Sequence, residues 1–463
     1  MSSSVSKPDA AIAPAASSPR RTVLPLIRRL HFYAGVFVAP FILIAAITGS
    51  LYAMAPTIER FVYRDLLSVE PAGESLPLSA QAAAAQARVP DLTMTGLRPA
   101  PGSRDSTRVT FADPGLGADT ERAVFVDPHT GRALGQEQVW FGYLPLSTWL
   151  DGLHRHLQLG EPGRLYSELA ASWLWVVALG GVALWLVKVR GDRRRGRQGR
   201  LMRIDGTTEG RARTRNWHGA VGVWILPMLL FLSATGITWS TYAGATVTAL
   251  RAEFNWQRPQ LDTALTVPST SVGPVDLDGV VLAAGGAGVA APVEITLPVA
   301  ADGAVGVAEI DEPYRLTTNA AAVDPASLRV TGVLDYDRDY SVMAELADWG
   351  IRMHMGLLFG WLNQLLLLGV AVALVTVIVR GYRMWWQRRP TRGSDWAVGR
   401  PPVRGGIRRL HPAVLVVGAV ITVAVGWFLP LLGISLAGFL LVDLVVGRVA
   451  AYRTRAHTTQ AQG

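Results

Sequence analysis

His31–Tyr52 reads HFYAGVFVAPFILIAAITGSLY, and His218–Trp239 reads HGAVGVWILPMLLFLSATGITW. The two stretches share His at the start, Gly four residues on (Gly35, Gly222), Pro nine on (Pro40, Pro227) and Thr-Gly at the seventeenth and eighteenth places (Thr48-Gly49, Thr235-Gly236). Both are apolar and long enough to cross a bilayer as helix, which takes about 20 residues. A repeat that keeps a histidine at the edge of each span predicts imidazoles facing one another across a bundle. Facing imidazoles in apolar surroundings are the axial ligands that a haem iron needs.

The composition agrees. Of 463 residues, 50% are hydrophobic and 17% charged, and the mean hydropathy is +0.27. With apolar runs of about 20 residues, these values define an α-helical integral membrane protein. The absence of cysteine excludes disulfides, iron–sulfur clusters, thiolate zinc sites and covalent CxxCH haem attachment, so a redox centre has to be held by histidine or without covalent bonds. The net charge of +9 reflects topology and not nucleic-acid binding, because the arginines crowd beside the spans. No Walker loop, no GxGxxG after a strand and no HExxH occurs, so no NAD(P)H-flavin module is encoded and an electron donor has to be a separate cytoplasmic component or quinol.

Residues 1–20, rich in Ala, Ser and Pro, read as a disordered cytoplasmic lead. Spans are expected over 21–55, 151–188, 216–242 and 349–383, followed by a hairpin over 411–448 bent at Pro430 and a tail over 449–463. A cleavable signal peptide competes for the first span, but the second copy of its motif in mid-chain argues against that. The basic connections 189–215 and 384–410 fall on one side with both termini, which the positive-inside bias makes cytoplasmic. The connections 56–150 and 243–348 then lie outside. Their alternating stretches Arg108-Val109-Thr110-Phe111-Ala112 and Val293-Glu294-Ile295-Thr296-Leu297, with turns at Asp127-Pro128 and Asp324-Pro325, predict two small α+β domains.

The second and fourth spans also correspond: Gly160 stands six residues after His154 and Gly360 six after His354, with Leu165 and Leu365 in the same register. The chain therefore reads as an internal duplication of span, outer domain, span. His31 and His218 come in at the cytoplasmic face, His154 and His354 at the outer face. Two bis-imidazole haems, one above the other and roughly 20 Å apart, would fit a core of about 30 Å. His154 and His156 lie about 200° apart on a helix, so one of them faces His354; the register favours His154, with His156 the alternative. Gly35 and Gly222, one turn from the inner histidines, leave room for a macrocycle face, whereas Gly160 and Gly360 read as helix-packing glycines. Arg29, Arg155, Arg164, Arg215 and Arg352 are near enough to meet haem propionates. Asp443 in the last span reads as snorkelling, without function. His129, His411 and His457 are not expected to bind a cofactor.

The H-x3-G-x4-P-x7-TG spans, the DP-T-G turn, the LHR-x-L-x-LG-x-PG-R-L approach at Leu153–Leu165 and the H-x-G-x3-G approach at His354–Gly360 resemble the PepSY-associated transmembrane family over about residues 21–390. That family includes iron-uptake factors and inner-membrane siderophore reductases. The resemblance implies a duplicated four-span haem-binding bundle with two periplasmic α+β PepSY-like domains, the C-terminal two-span hairpin being an extension. It also implies two haem b on His31, His218, His154 and His354, and electron delivery from a cytoplasmic or quinol donor to a periplasmic ferric siderophore or other Fe(III) chelate, in the bacterial inner membrane. The chain departs from the pattern at His156, in a second Asp-Pro turn without Thr-Gly, and at Asn363 opposite Gly163. Two other functions compete: a membrane-anchored PepSY regulator or inhibitor of a protease, and a proton-coupled transporter with histidines as proton sites.

Overall fold

The computed structural model describes residues 23–196, 200–266, 274–300, 302–388 and 411–460. The expected lead 1–20 and most of the basic stretch 384–410 lie outside the described residues.

The first span is two helices, α1 (Leu24–Phe37) and α2 (Ala39–Ala53), which meet at 57°. Pro40 accounts for the break: it has no N–H for the Val36 carbonyl, and that carbonyl instead accepts from Tyr382 Oη at 2.8 Å. The chain continues through α3 (Ala55–Val62), α4 (Arg64–Leu67) and α5 (Leu78–Gln86) into strands β1 (Thr93–Arg98), β2 (Thr107–Ala112), β3 (Thr120–Val126) and β4 (Ala133–Trp140). It returns through α6 (Pro145–His156) and α7 (Glu161–Arg194), then rises again in α8 (Gly210–Thr238), which carries Pro227 without a break. The second excursion holds α9 (Tyr242–Glu253), α10 (Leu277–Gly286), β5 (Val293–Thr296), β6 (Val305–Glu309), β7 (Ala320–Val323), β8 (Val330–Leu334) and α11 (Tyr336–Asp339). Then α12 (Val342–His354), α13 (Gly360–Trp386), α14 (Pro412–Phe428) and α15 (Pro430–Gln460) complete the described chain.

Among the described residues, α7, α8, α13 and Pro430–Val449 of α15 are each long and apolar enough to cross a membrane, and the bent pair α1–α2 qualifies as one further span. The chain is a multi-pass membrane protein. In its bundle α8 lies against α7 and α13, and α2 against the same two helices, around an interior that includes Ile42, Trp173, Ile225, Leu229 and Leu374. Phe37, Trp224, Leu365 and Val379 are exposed on the outside, where a lipid-facing helix carries such residues.

The two α+β segments do not stand apart, as expected from the sequence, but share one antiparallel sheet of order β4-β3-β2-β1-β5-β6-β7-β8. Its seam is the pairing of Gly96 with Thr296 and of Leu97 with Ile295. Each four-stranded half alone would present β1 or β5 as a bare edge, a template for unwanted pairing. Joined, the halves bury Leu97 and Ile295 completely and run one apolar core beneath both, from Val109 and Phe111 to Val280 and Val307. The two Asp-Pro turns close alike: Asp127 accepts from Thr130 Oγ1 at 2.7 Å, and Asp324 from Ser327 Oγ at 2.5 Å. Where the first turn uses Gly131 at φ +69, the second, lacking Thr-Gly, holds Leu328 at φ +55.

A Cβ on Gly96 would lie 2.6 Å from the Ile295 carbonyl oxygen. Gly96→Val should therefore force β1 and β5 apart and destabilise the sheet by about 1–3 kcal/mol. Hydrogen exchange should quicken in both strands while α8 and α13 stay protected; unchanged exchange at 93–98 and 293–296 would show that the seam does not depend on this close approach.

Candidate functional site

The inner pair forms near the arginine-rich end of the bundle. His31 on α1 faces His218 on α8, with ring centroids 6.3 Å apart. Each ring is oriented by a third helix: His31 Nδ1 lies 3.0 Å from Val177 O on α7, and His218 Nδ1 lies 2.8 Å from Val377 O on α13. A carbonyl only accepts, so Nδ1 carries the proton in both rings and Nε2 keeps its lone pair. Glycine permits the approach. A Cβ on Gly181 would come within 2.9 Å of His31 Cε1, and one on Gly381 within 3.5 Å of His218 Cε1. Beside this pair, a Cβ on Gly35 or Gly222 would meet nothing within 4 Å.

The outer pair lies at the sheet-bearing end. His154, at the end of α6, faces His354, at the end of α12, with centroids 6.4 Å apart; it is His154 and not His156 that does so. His154 Nδ1 is 3.0 Å from Thr48 Oγ1, and His354 Nδ1 is 2.6 Å from Thr235 Oγ1. Both hydroxyls donate within their own helices, to Ile44 O at 2.9 Å and Phe231 O at 2.8 Å. Their oxygens thus accept from the imidazoles, and Nε2 is again left as the donor atom. The Thr-Gly repeat therefore seats a ring: the threonine sets the tautomer, and Gly49 makes room, since a Cβ there would be 2.9 Å from His154 Cε1.

The arginines divide. Arg155 and Arg164 line the cavity that contains His154 and His354, with Asp151 and Glu161 as their ion-pair partners at 3.2 and 3.7 Å. Arg215 is exposed one turn before His218. Arg352 is 2% exposed and engaged by Asp348 at 3.0 Å, Asp311 at 3.4 Å and Arg315 O at 2.8 Å. Arg29, also buried, pairs with Asp443 on α15. This corrects the reading of Asp443 as functionless, because a buried guanidinium in apolar surroundings needs a counter-charge. Gly160 and Gly360, read as packing glycines, adopt φ +65 and φ +55 where the chain turns into α7 and α13, and of the two Gly360 also packs closely, since a Cβ there would be 3.1 Å from Pro313 Cβ. At the place matching Gly163, Asn363 Nδ2 donates to Met353 O at 2.9 Å. Glu168, unmarked by any motif, is buried on the cavity wall and accepts from Tyr242 N and Ala243 N at 2.9 and 3.0 Å, capping α9.

The donor set fits haem iron. With a nitrogen–metal bond of about 2 Å, as imidazole makes to zinc, and about 1.1 Å from ring centre to nitrogen, two imidazoles on opposite sides of one ion stand about 6 Å apart. Both pairs have that spacing. Each pair thus offers two imidazole Nε2 atoms, the donor type that a porphyrin-bound iron accepts at its axial positions.

A bent first span, four further long apolar helices among the described residues and two facing imidazole pairs define a class of polytopic bundle with paired histidines at either end. The model of the PepSY-associated TM region family matches residues 28–388. The chain belongs to that family. No curated protein matches it.

Thr235→Val keeps the shape of the side chain and removes the acceptor for His354 Nδ1, which should cost about 1 kcal/mol for a hydrogen bond inside a membrane bundle. Thermal unfolding in detergent should show the loss, and Thr235→Ser should restore the wild-type midpoint. Equal midpoints for the Val and Ser variants would show that the hydroxyl has no part in seating the ring.

Proposed function

We propose that the chain is a di-haem electron conduit which reduces ferric chelates, such as ferric siderophores, outside the bacterial cytoplasmic membrane. The observation that carries this reading is the double pairing of His31 with His218 and of His154 with His354 at 6.3 and 6.4 Å, with every Nδ1 already engaged. His31 and His218 would hold an inner haem b, His154 and His354 an outer one. Bound haem supplies one-electron chemistry between ferrous and ferric iron. Arg155 and Arg164 on the outer cavity wall, and Arg215 beside the inner pair, would meet propionates, whereas Arg29 and Arg352 are engaged by carboxylates of the chain itself.

The helices set the distance. From His218 to Thr235, which holds His354, α8 climbs seventeen residues, about 25 Å at about 1.5 Å per residue. The repeat places Thr48, which holds His154, the same seventeen residues after His31, although there the path crosses the 57° break between α1 and α2. Electrons from a cytoplasmic donor or quinol would come in at the arginine-rich end and leave at the sheet-bearing end, each reducing one Fe(III) to Fe(II). The crowding of arginines at one end of the spans supports that orientation.

Protein purified from haem-replete cells should show low-spin haem b bands at two haems per chain. His31→Ala and His218→Ala should each remove one haem, His154→Ala and His354→Ala the other, and His156→Ala neither. Retention of both haems in any of the first four variants would overturn the assignment. Colourless protein would favour an anchored regulator of a protease or a proton-coupled transporter.

A further inference from the structure

Above the outer pair, β4 ends in a two-residue reverse turn. Trp140 N donates to Tyr143 O at 3.0 Å and Tyr143 N to Trp140 O at 2.9 Å, with Phe141 at φ +46 and Gly142 at φ +78 between them. Positive φ at both central positions suits Asn, Asp or Gly. A phenylalanine there is held against its backbone preference, a condition that collects at functional sites. The residue is 64% exposed and its ring meets that of Trp140 edge-on with centroids 4.9 Å apart, so burial does not explain its position. Arg108 reaches beneath the turn and donates to Gly142 O. Burial pushes this guanidinium down to about 10, and it stays cationic at neutral pH.

The turn walls a cavity lined also by Tyr52, Tyr143, Asp151, Arg155 and Trp239. Tyr52, Asp151, Arg155, Trp239 and Met355 line both this cavity and the one containing His154 and His354. Tyr52 is stacked on His154, with centroids 6.3 Å apart and planes 17° from parallel. An aromatic vestibule thus opens directly onto the outer imidazole pair.

We propose that this vestibule docks the electron acceptor, and that it selects ferric chelates presenting an aromatic ring over chelates with aliphatic or carboxylate surfaces. The proposal rests on the outer pair being the exit for electrons. Tyr52, Trp140, Phe141, Tyr143 and Trp239 offer faces and edges around one small space, and a flat ring gains from offset and perpendicular contacts that an aliphatic arm does not make. The Arg155 guanidinium, 5.9 Å over the Trp239 ring and paired with Asp151, and the Tyr143 hydroxyl are among the polar groups of the lining that can orient a ligand in such a pocket.

Gallium(III) has the charge and coordination of Fe(III) and takes no electron, so binding can be read apart from haem chemistry. Gallium tris-benzohydroxamate and gallium tris-acetohydroxamate share donor atoms and charge and differ in the ring. Isothermal titration of the detergent-solubilised full chain should show the benzohydroxamate complex bound at least about tenfold more tightly. Phe141→Gly should erase that preference while the melting temperature holds or rises and the visible spectrum stays that of wild type; Phe141→Trp should keep it. Equal affinities in wild type, or an undiminished preference in Phe141→Gly, overturns the proposal. Failure of the haem reading shows separately, as colourless protein, and alters neither titration.

Discussion

An imidazole inside an apolar bundle needs its ring N–H answered, and the helices that carry the repeat are arranged around that need. Each of the four histidines is steadied by a helix other than its own: His31 by α7, His218 by α13, His154 by α2 and His354 by α8. Two of the acceptors are carbonyls of helices that cross the bundle, and two are threonine hydroxyls already bonded within their own helices. A buried polar group left unanswered costs more than most single packing contacts contribute. The four contacts therefore tie α1 to α7, α8 to α13, α6 to α2 and α12 to α8, and glycines on the accepting helices let the rings come close.

The same geometry gives each end of the bundle a separate support. The inner rings lean on backbone, which no side-chain substitution can remove, while the outer rings lean on Thr48 and Thr235. The outer site is therefore the more tunable of the two, and it is also the one that meets the sheet, the arginines of the cavity wall and the aromatic turn.

Much of this was legible in the chain. The repeat beginning at His31 and His218 marked those two histidines, and the register between the second and fourth spans marked His154 and His354, because helical spacing fixes depth as well as face. The role of Thr48 and Thr235 was not legible, since their partners stand on other helices and the repeat says only that the positions matter. A stricter use of the register between the second and fourth spans would have found more: Val177 and Val377, and Gly181 and Gly381, keep the offset that relates His154 to His354. The seam between β1 and β5 left no trace, because two-residue alternation tells which face of a strand is buried and not which strand lies beside it. The pairing of Arg29 with Asp443 and the capping by Glu168 are likewise contacts between distant segments that no local pattern announces.

The seam also bears on how the protein is made. About 200 residues separate β1 from β5, and at a synthesis rate of about 5–20 residues per second the first half-sheet waits about 10–40 s for its partner. In that interval β1 is an open edge with its neighbours already folded, the arrangement most prone to pair with the wrong chain. Two membrane helices, α7 and α8, have to be threaded before β5 can arrive. Closure of the sheet therefore reports that α7 and α8 have been threaded, before α13 is made, and a chain stalled short of β5 carries an unpaired, half-finished edge.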